Sequence, residues 1–417
     1  MNLTWLAIRQ IKSKPLSSTL NIILFTSGIA IISLLLLLRD GFERQLERNA
    51  KGIDLVVGAK GSPLQLILSG IYHVDYPTGN ISYTEAQALT KHPLVKKSIP
   101  QALGDNYKGF RIVGTTTEYV ALYDGRLAEG MLWSNTYEVT IGSKVADATG
   151  LQIDDTFSGV HGFIEEAGHN HEEQMYLVKG ILAETGTVLD QLILTDIASV
   201  WEIHTHHDDD QHKTMHTHDE NATNEHEHNH EHEDNEDTDK EITSLLISYT
   251  SPMGAITLPR YINQSTNMQA ASPAIEINRL FSLLGIGIDV LNLIAGLIIL
   301  LSAFSIFISL LHSLNERKYE LALMRVMGGS RFRLFTMVLV EGLIYAILGY
   351  LAGILLSRLG MIWISEYTEN SFNYDLGQWT SIWDIYLLLL SLFIGIVSAL
   401  IPAIKATKTD ISKTLSE

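Results

Sequence analysis

The sequence predicts a membrane α-helical protein with four spanning helices and one large extracytoplasmic α+β domain, and three observations carry that reading. Four apolar runs are each long enough to cross about 30 Å of hydrocarbon at roughly 1.5 Å per residue. Lysine and arginine precede the first run, fill the loop between the second and third and follow the fourth, while the loop between the third and fourth has none. Between the first and second runs lies a long polar stretch that mixes strand-like and helix-like patterning.

The spans fall at 16–38, 281–311, 335–364 and 383–404, after a short amphipathic segment at 1–15. The first is too long for a signal-peptide h-region and has no small-x-small cleavage site after it, so it reads as a retained helix. Orientation follows from the basic residues. Arg9, Lys12 and Lys14 precede the first span; Arg317, Lys318, Arg325, Arg331 and Arg333 occupy the 312–334 loop; Lys405, Lys408 and Lys413 lie in the 405–417 tail. The 365–382 loop carries Glu366, Glu369 and Asp375 and no basic residue. Both termini and the 312–334 loop are therefore expected on the cytoplasmic side, and 39–280 outside. Asp289 and Glu341 lie within apolar runs, where a charge is costly. Their places near the ends of their helices favour interfacial or packing roles over an ion pathway. Gly349 and Gly353 form a G-x-x-x-G pair suited to close helix packing.

Within 39–280, the first helix is expected to continue outward through FERQLERNAKG, and the second to begin early at AIEINRLFSLL, giving the domain stalk-like ends. Runs at 55–59, 110–114, 137–142, 175–182 and 191–195 are rich in β-branched and aromatic residues and read as strands. Segments 63–73, 83–92 and 142–150 read as helices. Strands and helices mixed without regular alternation indicate α+β.

Composition excludes several functions. The chain has no cysteine, which removes disulfides, thiolate zinc sites and cysteine nucleophiles. Formal net charge is -18, and residues 202–241 hold 15 acidic and 2 basic residues, a net of -13, leaving about -5 elsewhere. Such a balance does not suit nucleic acid. No G-x-S-x-G or paired-carboxylate context indicates an enzyme. No G-x-x-x-x-G-K-[ST] is present, so ATP would act only through another polypeptide.

Residues 202–241 lack apolar periodicity and read as a disordered loop. Ten histidines lie there: His204, His206, His207, His212, His216, His218, His226, His228, His230 and His232. Imidazole ligates Zn²⁺ and also accepts Cu²⁺ and Ni²⁺. The last four share a face if extended and pair at i, i+4 if helical. The expectation is a low-specificity zinc collector or sensor; the alternative is a solvated acidic linker that binds metal incidentally. No tightly bound cofactor is expected. His161, His169 and His171 lie in a second polar segment and either join this group or are plain surface residues.

The 312–334 loop reads as a short amphipathic helix. Tyr319, Leu323 and Met327, with Met324 and Val326, make an apolar stripe; Glu316, Arg317 and Glu320 make a charged face; Gly328 and Gly329 stop the helix. Such a helix at the membrane surface suits docking of a cytosolic partner; the alternative is a positive-inside loop that only fixes topology.

The segment ERKYELALMRVMGGS resembles the signature of the MacB/FtsX-type ABC permease family, which includes the lipoprotein-releasing permeases. In that family the motif E-R-x-x-E-x-x-x-x-R-x-x-G forms a coupling helix that seats on the ATPase; by position Glu316, Arg317, Glu320, Arg325 and Gly328 carry over. The P-A-x-x-A at Pro402 to Ala406 and the order of helices and outer domain agree. VTIGSKVADATGLQIDDTF resembles a family stretch of the outer domain, with Asp154 where the family usually has glycine. DLVVGAKGSPLQLILSGIYH resembles a subgroup whose cargo the motif does not assign. The resemblance implies an outer domain of MacB periplasmic-core type, in the periplasm of a bacterium whose inner membrane holds the spans. It also implies a permease homodimer or heterodimer and a cytosolic ATPase dimer, joined by mechanotransmission: ATPase motion bends the outer domains without a substrate channel. Three functions stay open: metal acquisition or homeostasis with periplasmic metal-binding partners, lipoprotein or small-molecule export, and non-transporting regulation of an envelope enzyme.

Overall fold

A computed structural model of the chain describes residues 15–160, 170–202, 240–372 and 381–408, together with Arg9. Two compact units divide it, Gln45–Ser282 and the pair of segments Met1–Arg44 and Leu283–Glu417. The ten histidines from His204 to His232, with His161 and His169, lie outside the described residues.

The chain starts with α1 (Pro15–Ala50), whose length takes it from one unit into the other. The outer unit then runs β1 (Leu55–Ala59), α2 (Pro63–Gly70), β2 (Ile81–Ser82), α3 (Tyr83–Thr90), β3 (Val95–Tyr107), β4 (Phe110–Thr115) and α4 (Glu118–Leu122). It continues through β5 (Leu127–Gly130), β6 (Glu138–Ile141), α5 (Ser143–Thr149), β7 (Thr156–Val160), β8 (Asn170–Leu182) and β9 (Leu192–Asp196). After the acidic segment come β10 (Glu241–Ile242), β11 (Ser244–Tyr249), α6 (Gly254–Ser265) and β12 (Met268–Ala271). The remaining helices are α7 (Pro273–Glu316), α8 (Lys318–Val326), α9 (Arg331–Phe372) and α10 (Trp383–Thr407).

Most strands join one mixed sheet in the order β12-β1-β11-β3-β4-β9-β6-β8-β5, with β7 against β3 and β8; β2 and β10 pair separately. Neighbours are antiparallel except β4 with β9 and β6 with β8. Side chains alternate across a strand, and β1 shows the result. Val56 packs with Leu66, Ile67, Tyr119 and Leu246 on one face, while Leu55 and Val57 pack with Leu89, Leu258 and Ile262 on the other. A strand covered on both faces has no polar side to display, which is why LVVGA is continuously apolar.

Local signals start and stop the helices. Ser62 accepts the Gln65 N–H at 3.4 Å ahead of α2, with Pro63 in the first turn. Ser82 accepts the Glu85 N–H at 3.5 Å and opens α3, a serine and a glutamate at capping-box spacing. α5 ends on Gly150 at φ 75°, the left-handed cap that glycine adopts without penalty. The departure at Asp154 has the same explanation. Its φ is 68°, a conformation that explains a glycine there and that aspartate tolerates better than most residues. Its carboxylate also meets Lys179 Nζ at 3.2 Å.

In the other unit, α1, α7, α9 over Arg331–Ile364 and α10 are long and apolar enough to cross a membrane. Small residues set their packing. A Cβ on Gly349 would come within 2.6 Å of Phe25, and one on Gly353 within 2.8 Å of Ile29, so α1 lies directly on the G-x-x-x-G face of α9. A Cβ on Gly342 would meet Ala399 at 2.7 Å, and one on Gly395 would meet Ala346 at 2.7 Å, so α9 and α10 approach backbone to backbone. Polar contacts add to this: Ser17 Oγ with Ser309 Oγ at 3.1 Å, Ser305 Oγ donating to Asn21 Oδ1 at 2.5 Å, and Ser18 Oγ with Tyr345 Oη at 2.8 Å.

In the outer unit His73 is buried at φ 54°, its Nε2 3.1 Å from the Tyr119 hydroxyl. Desolvation, and then the nearby Arg111 charge, lower its pKa to about 3. A histidine held neutral in the fold, with an ordinary pKa near 6.5 when unfolded, destabilises the fold as pH falls below that ordinary value. Between pH 7 and 5 the expected loss is about 2 kcal/mol. His73→Asn keeps a residue tolerant of left-handed φ and should flatten that acid limb, as read by pulse proteolysis of the full chain in urea at the two pH values.

Candidate coupling site and its supports

α7 ends at Glu316, and Arg317, at φ -105° and ψ 15°, turns the chain into α8. The far end of α8 is fixed by glycine. Gly328 sits at φ 92°, and Gly329 donates its N–H to the Met324 carbonyl at 2.9 Å. A Cβ on Gly329 would lie 2.7 Å from that same oxygen. Ser330 then accepts the Arg333 N–H at 3.3 Å and opens α9. The G-G-S sequence thus closes one helix and caps the next within three residues.

α8 is apolar on two faces. Leu321 and Ala322 are buried, and Leu321 packs with Leu314, Leu334, Val338, Ala403 and Ala406 from α7, α9 and α10, with Met324 partly buried beside them. Tyr319, Leu323, Val326 and Met327 point away, with Tyr319 59% and Met327 74% exposed. Phe332, at the start of α9, extends this surface at 75% exposure. Lys318, Arg331 and Arg333 are exposed around it. Of the apolar stripe read from the sequence, Met324 alone turns inward; the other four form an outward surface of large side chains.

The charged positions distribute differently. Glu316 Oε1 accepts from His312 Nε2 at 3.0 Å, one turn back on α7. Arg317 and Glu341 line a small cleft with Ser313, Leu321 and Met337, so the acidic group buried inside α9 faces the corner between α7 and α8. Arg325 is half-buried on α8, and the Glu320 side chain lies outside the described ones. Asp289, by contrast, is exposed on α7.

A polar cluster at the other end of the bundle has no counterpart in the motif. Arg358 of α9 donates to Asp384 of α10 at 2.5 Å, and both side chains are largely buried. Arg358 also reaches Ser33 of α1 at 3.4 Å, and Ser33 Oγ lies 3.0 Å from Ser357 Oγ. Asp384 accepts the Ser381 N–H at 3.2 Å, while Ser381 Oγ reaches Asp40 of α1 at 3.4 Å. One ion pair therefore gathers three helices. A signal was present: Arg358 is the sole basic residue in the third apolar run, and Asp384 the sole acidic one in the fourth.

Within the outer unit the last turns of α1 are tied to the domain core. Tyr72 Oη donates to the Leu46 carbonyl at 3.0 Å and Tyr123 Oη to the Asn49 carbonyl at 2.7 Å. Asn49 Oδ1 accepts the Val188 N–H at 2.9 Å, and Gln45 Nε2 donates to the Gly186 carbonyl at 3.0 Å. Among the described residues, no group of three or more His, Asp or Glu is placed to hold a metal ion.

Two family models match the chain side by side. Residues 292–411, which include α8 and its glycine corner, match the FtsX-like permease C-terminal model. Residues 18–223 match the MacB-like periplasmic core domain. The chain belongs to the MacB/FtsX-type ABC permease family. This permease is 26% identical over 125 residues to the uncharacterized ABC transporter permease YknZ of Bacillus subtilis, a match spanning 29% of each chain. The solved periplasmic region of MacB from Actinobacillus actinomycetemcomitans aligns with 56% of the permease and 97% of its own length, at 9% identity and TM-score 0.34. The extracellular domain of the noncanonic ABC-type transporter YknZ from Gram-positive bacteria aligns with 53% of the permease and 99% of its own length, at 11% identity and TM-score 0.30.

The Arg358–Asp384 pair makes a direct prediction. Asp384→Asn strands a buried guanidinium, and breaking such a pair costs about 3–5 kcal/mol. Replacing both partners together, as Arg358→Met with Asp384→Leu, removes the uncompensated charge and should restore most of the lost stability. Thermal unfolding of the purified permease in detergent measures both.

Proposed function

We propose that this permease couples ATP hydrolysis by a separate cytosolic ABC ATPase to motion of its periplasmic domain. The observation that carries this reading is the outward apolar face of α8: Tyr319, Leu323, Val326 and Met327, on a helix whose other face is packed against three membrane-spanning helices. A rim of Lys318, Arg331 and Arg333 beside it suits an acidic or mixed partner surface. A load applied there is passed to α7, which runs from Pro273 to Glu316, and through the shared bundle to α1. The hydrogen bonds that tie Leu46 and Asn49 into the outer domain give that load a point of delivery.

On this reading the permease sits in a bacterial inner membrane with both termini and α8 in the cytoplasm, as the basic residues indicate. It pairs as a homodimer or heterodimer over an ATPase dimer, and it is not itself an enzyme. The histidine-rich segment adds zinc or another metal to the cargo or signal, since imidazoles interleaved with carboxylates supply ligands at many spacings. Lipoprotein or small-molecule export and envelope-enzyme regulation use the same coupling with the segment as a bystander.

Leu323→Asp with Val326→Asp places charge on the exposed face without touching the packed one. Co-purification of the ATPase with the permease should be lost while the thermal midpoint of the permease alone stays unchanged. Charge reversal at Glu316 and Glu320 should also abolish co-purification; a complex that survives both changes refutes α8 as the seat. For the metal, calorimetric titration of the full chain with Zn²⁺ should show several binding equivalents that vanish on deletion of residues 204–239. Equal binding by both forms removes the segment from the proposal.

A further inference from the structure

The outer unit carries a groove unrelated to α8. It has a volume of about 790 Å³ and lies between α3 and α6, beside the end of β1. Both helices rest on the same face of the sheet, through Ala86 and Leu89 from α3 and Leu258 and Ile262 from α6. The floor is apolar, built from the buried Leu89 and Met268. Its rim is polar and made mostly of donors. Lys60, which follows β1, and Lys91, which follows α3, are exposed and have no ion-pair partner among the described residues. His92 accepts the Leu94 N–H on Nδ1 at 3.2 Å, which leaves Nε2 as the protonated nitrogen in the neutral ring. The same ring lies against the half-exposed ring of Tyr261, with centroids 5.8 Å apart. Gln264 and Asn267 add side-chain amides, and Glu85 is the one acidic group in the lining.

We propose that this groove binds an extended, acidic peptide segment of a second protein outside the cytoplasm. The charge argument is local. The lining holds two ammonium groups and one carboxylate, and Lys96 and Lys97 follow closely in sequence. The two lysines attract an anionic partner and fix which way it lies in the groove. The shape selects the polymer. An open trough with an apolar floor and charges along its rim contacts a strand on three sides, whereas a single small anion would leave most of it empty. Tyr261 supplies a flat, rigid ring of the kind that anchors peptide interfaces.

The test uses the full-length permease in nanodiscs of zwitterionic lipid and a fluorescein-labelled dodecapeptide of alternating Glu and Thr, followed by anisotropy. The expected result is saturable binding that weakens as salt rises, with no binding of the matching Lys–Thr peptide. Lys60→Gln with Lys91→Gln should weaken the acidic peptide about tenfold, as two rim charges of modest worth allow. Both side chains are exposed, so the variant keeps its fold; an unchanged affinity overturns the proposal. Displacement of the peptide by free glutamate at equal carboxylate concentration also overturns it, because the site would then be one for small anions. So does a tenfold gain in affinity on deletion of residues 204–239, which would make the chain's own acidic segment the occupant.

Discussion

Lipid tails are as apolar as leucine, so helices in a bilayer gain little by burying apolar surface and depend on close packing and polar contacts instead. In this permease that constraint falls on a few small residues of α9. Gly349 and Gly353 admit Phe25 and Ile29 of α1, and Gly342 and Ala346 admit Ala399 and Gly395 of α10. α9 is thereby the hub of the bundle. The Arg358–Asp384 pair, which would be costly in isolation, becomes affordable because those glycines have already brought α9, α10 and α1 together. The seat of α8 has the same origin, since Leu321 packs on a surface made jointly by α7, α9 and α10.

The two ends of the bundle solve different problems. At one end a glycine corner fixes a short helix so that large apolar side chains remain outside the fold. At the other end the charges face inward and hold the helices in register. The outer unit follows ordinary aqueous rules, with a sheet covered on both faces by apolar clusters. It also keeps a neutral buried histidine, which links its stability to the pH around it.

The fold class was legible because its signals are coarse. Spanning a bilayer requires about 20 apolar residues in a row, and β1, β4, β6 and β9 are compact β-branched runs. The longest surprises have physical reasons. β3 contains Lys96, Lys97, Pro100 and Gly104, a composition that reads as a turn, yet it forms a strand with register shifts against both β11 and β4. α6 carries Pro259 inside it and looks broken from sequence. At the site, the glycine stop and the apolar stripe were visible, because helix periodicity orders them. Which apolar residues pack inward was not, because Leu321 and Met324 are chosen by α7, α9 and α10, not by α8. Arg358 and Asp384 are 26 positions apart on separate helices, so only their rarity within apolar runs could have linked them.

The polar stitching of α1 limits how that helix can move. Ser17 and Asn21 bond to Ser309 and Ser305 of α7, while Ser18 and Ser33 bond to Tyr345 and Ser357 of α9. These contacts grip α1 on two flanks. Spinning the helix about its own axis would break both sets and lift Phe25 and Ile29 out of their glycine notches. Sliding it lengthwise would do the same. Tilting α1 together with its neighbours as one body keeps every one of these contacts.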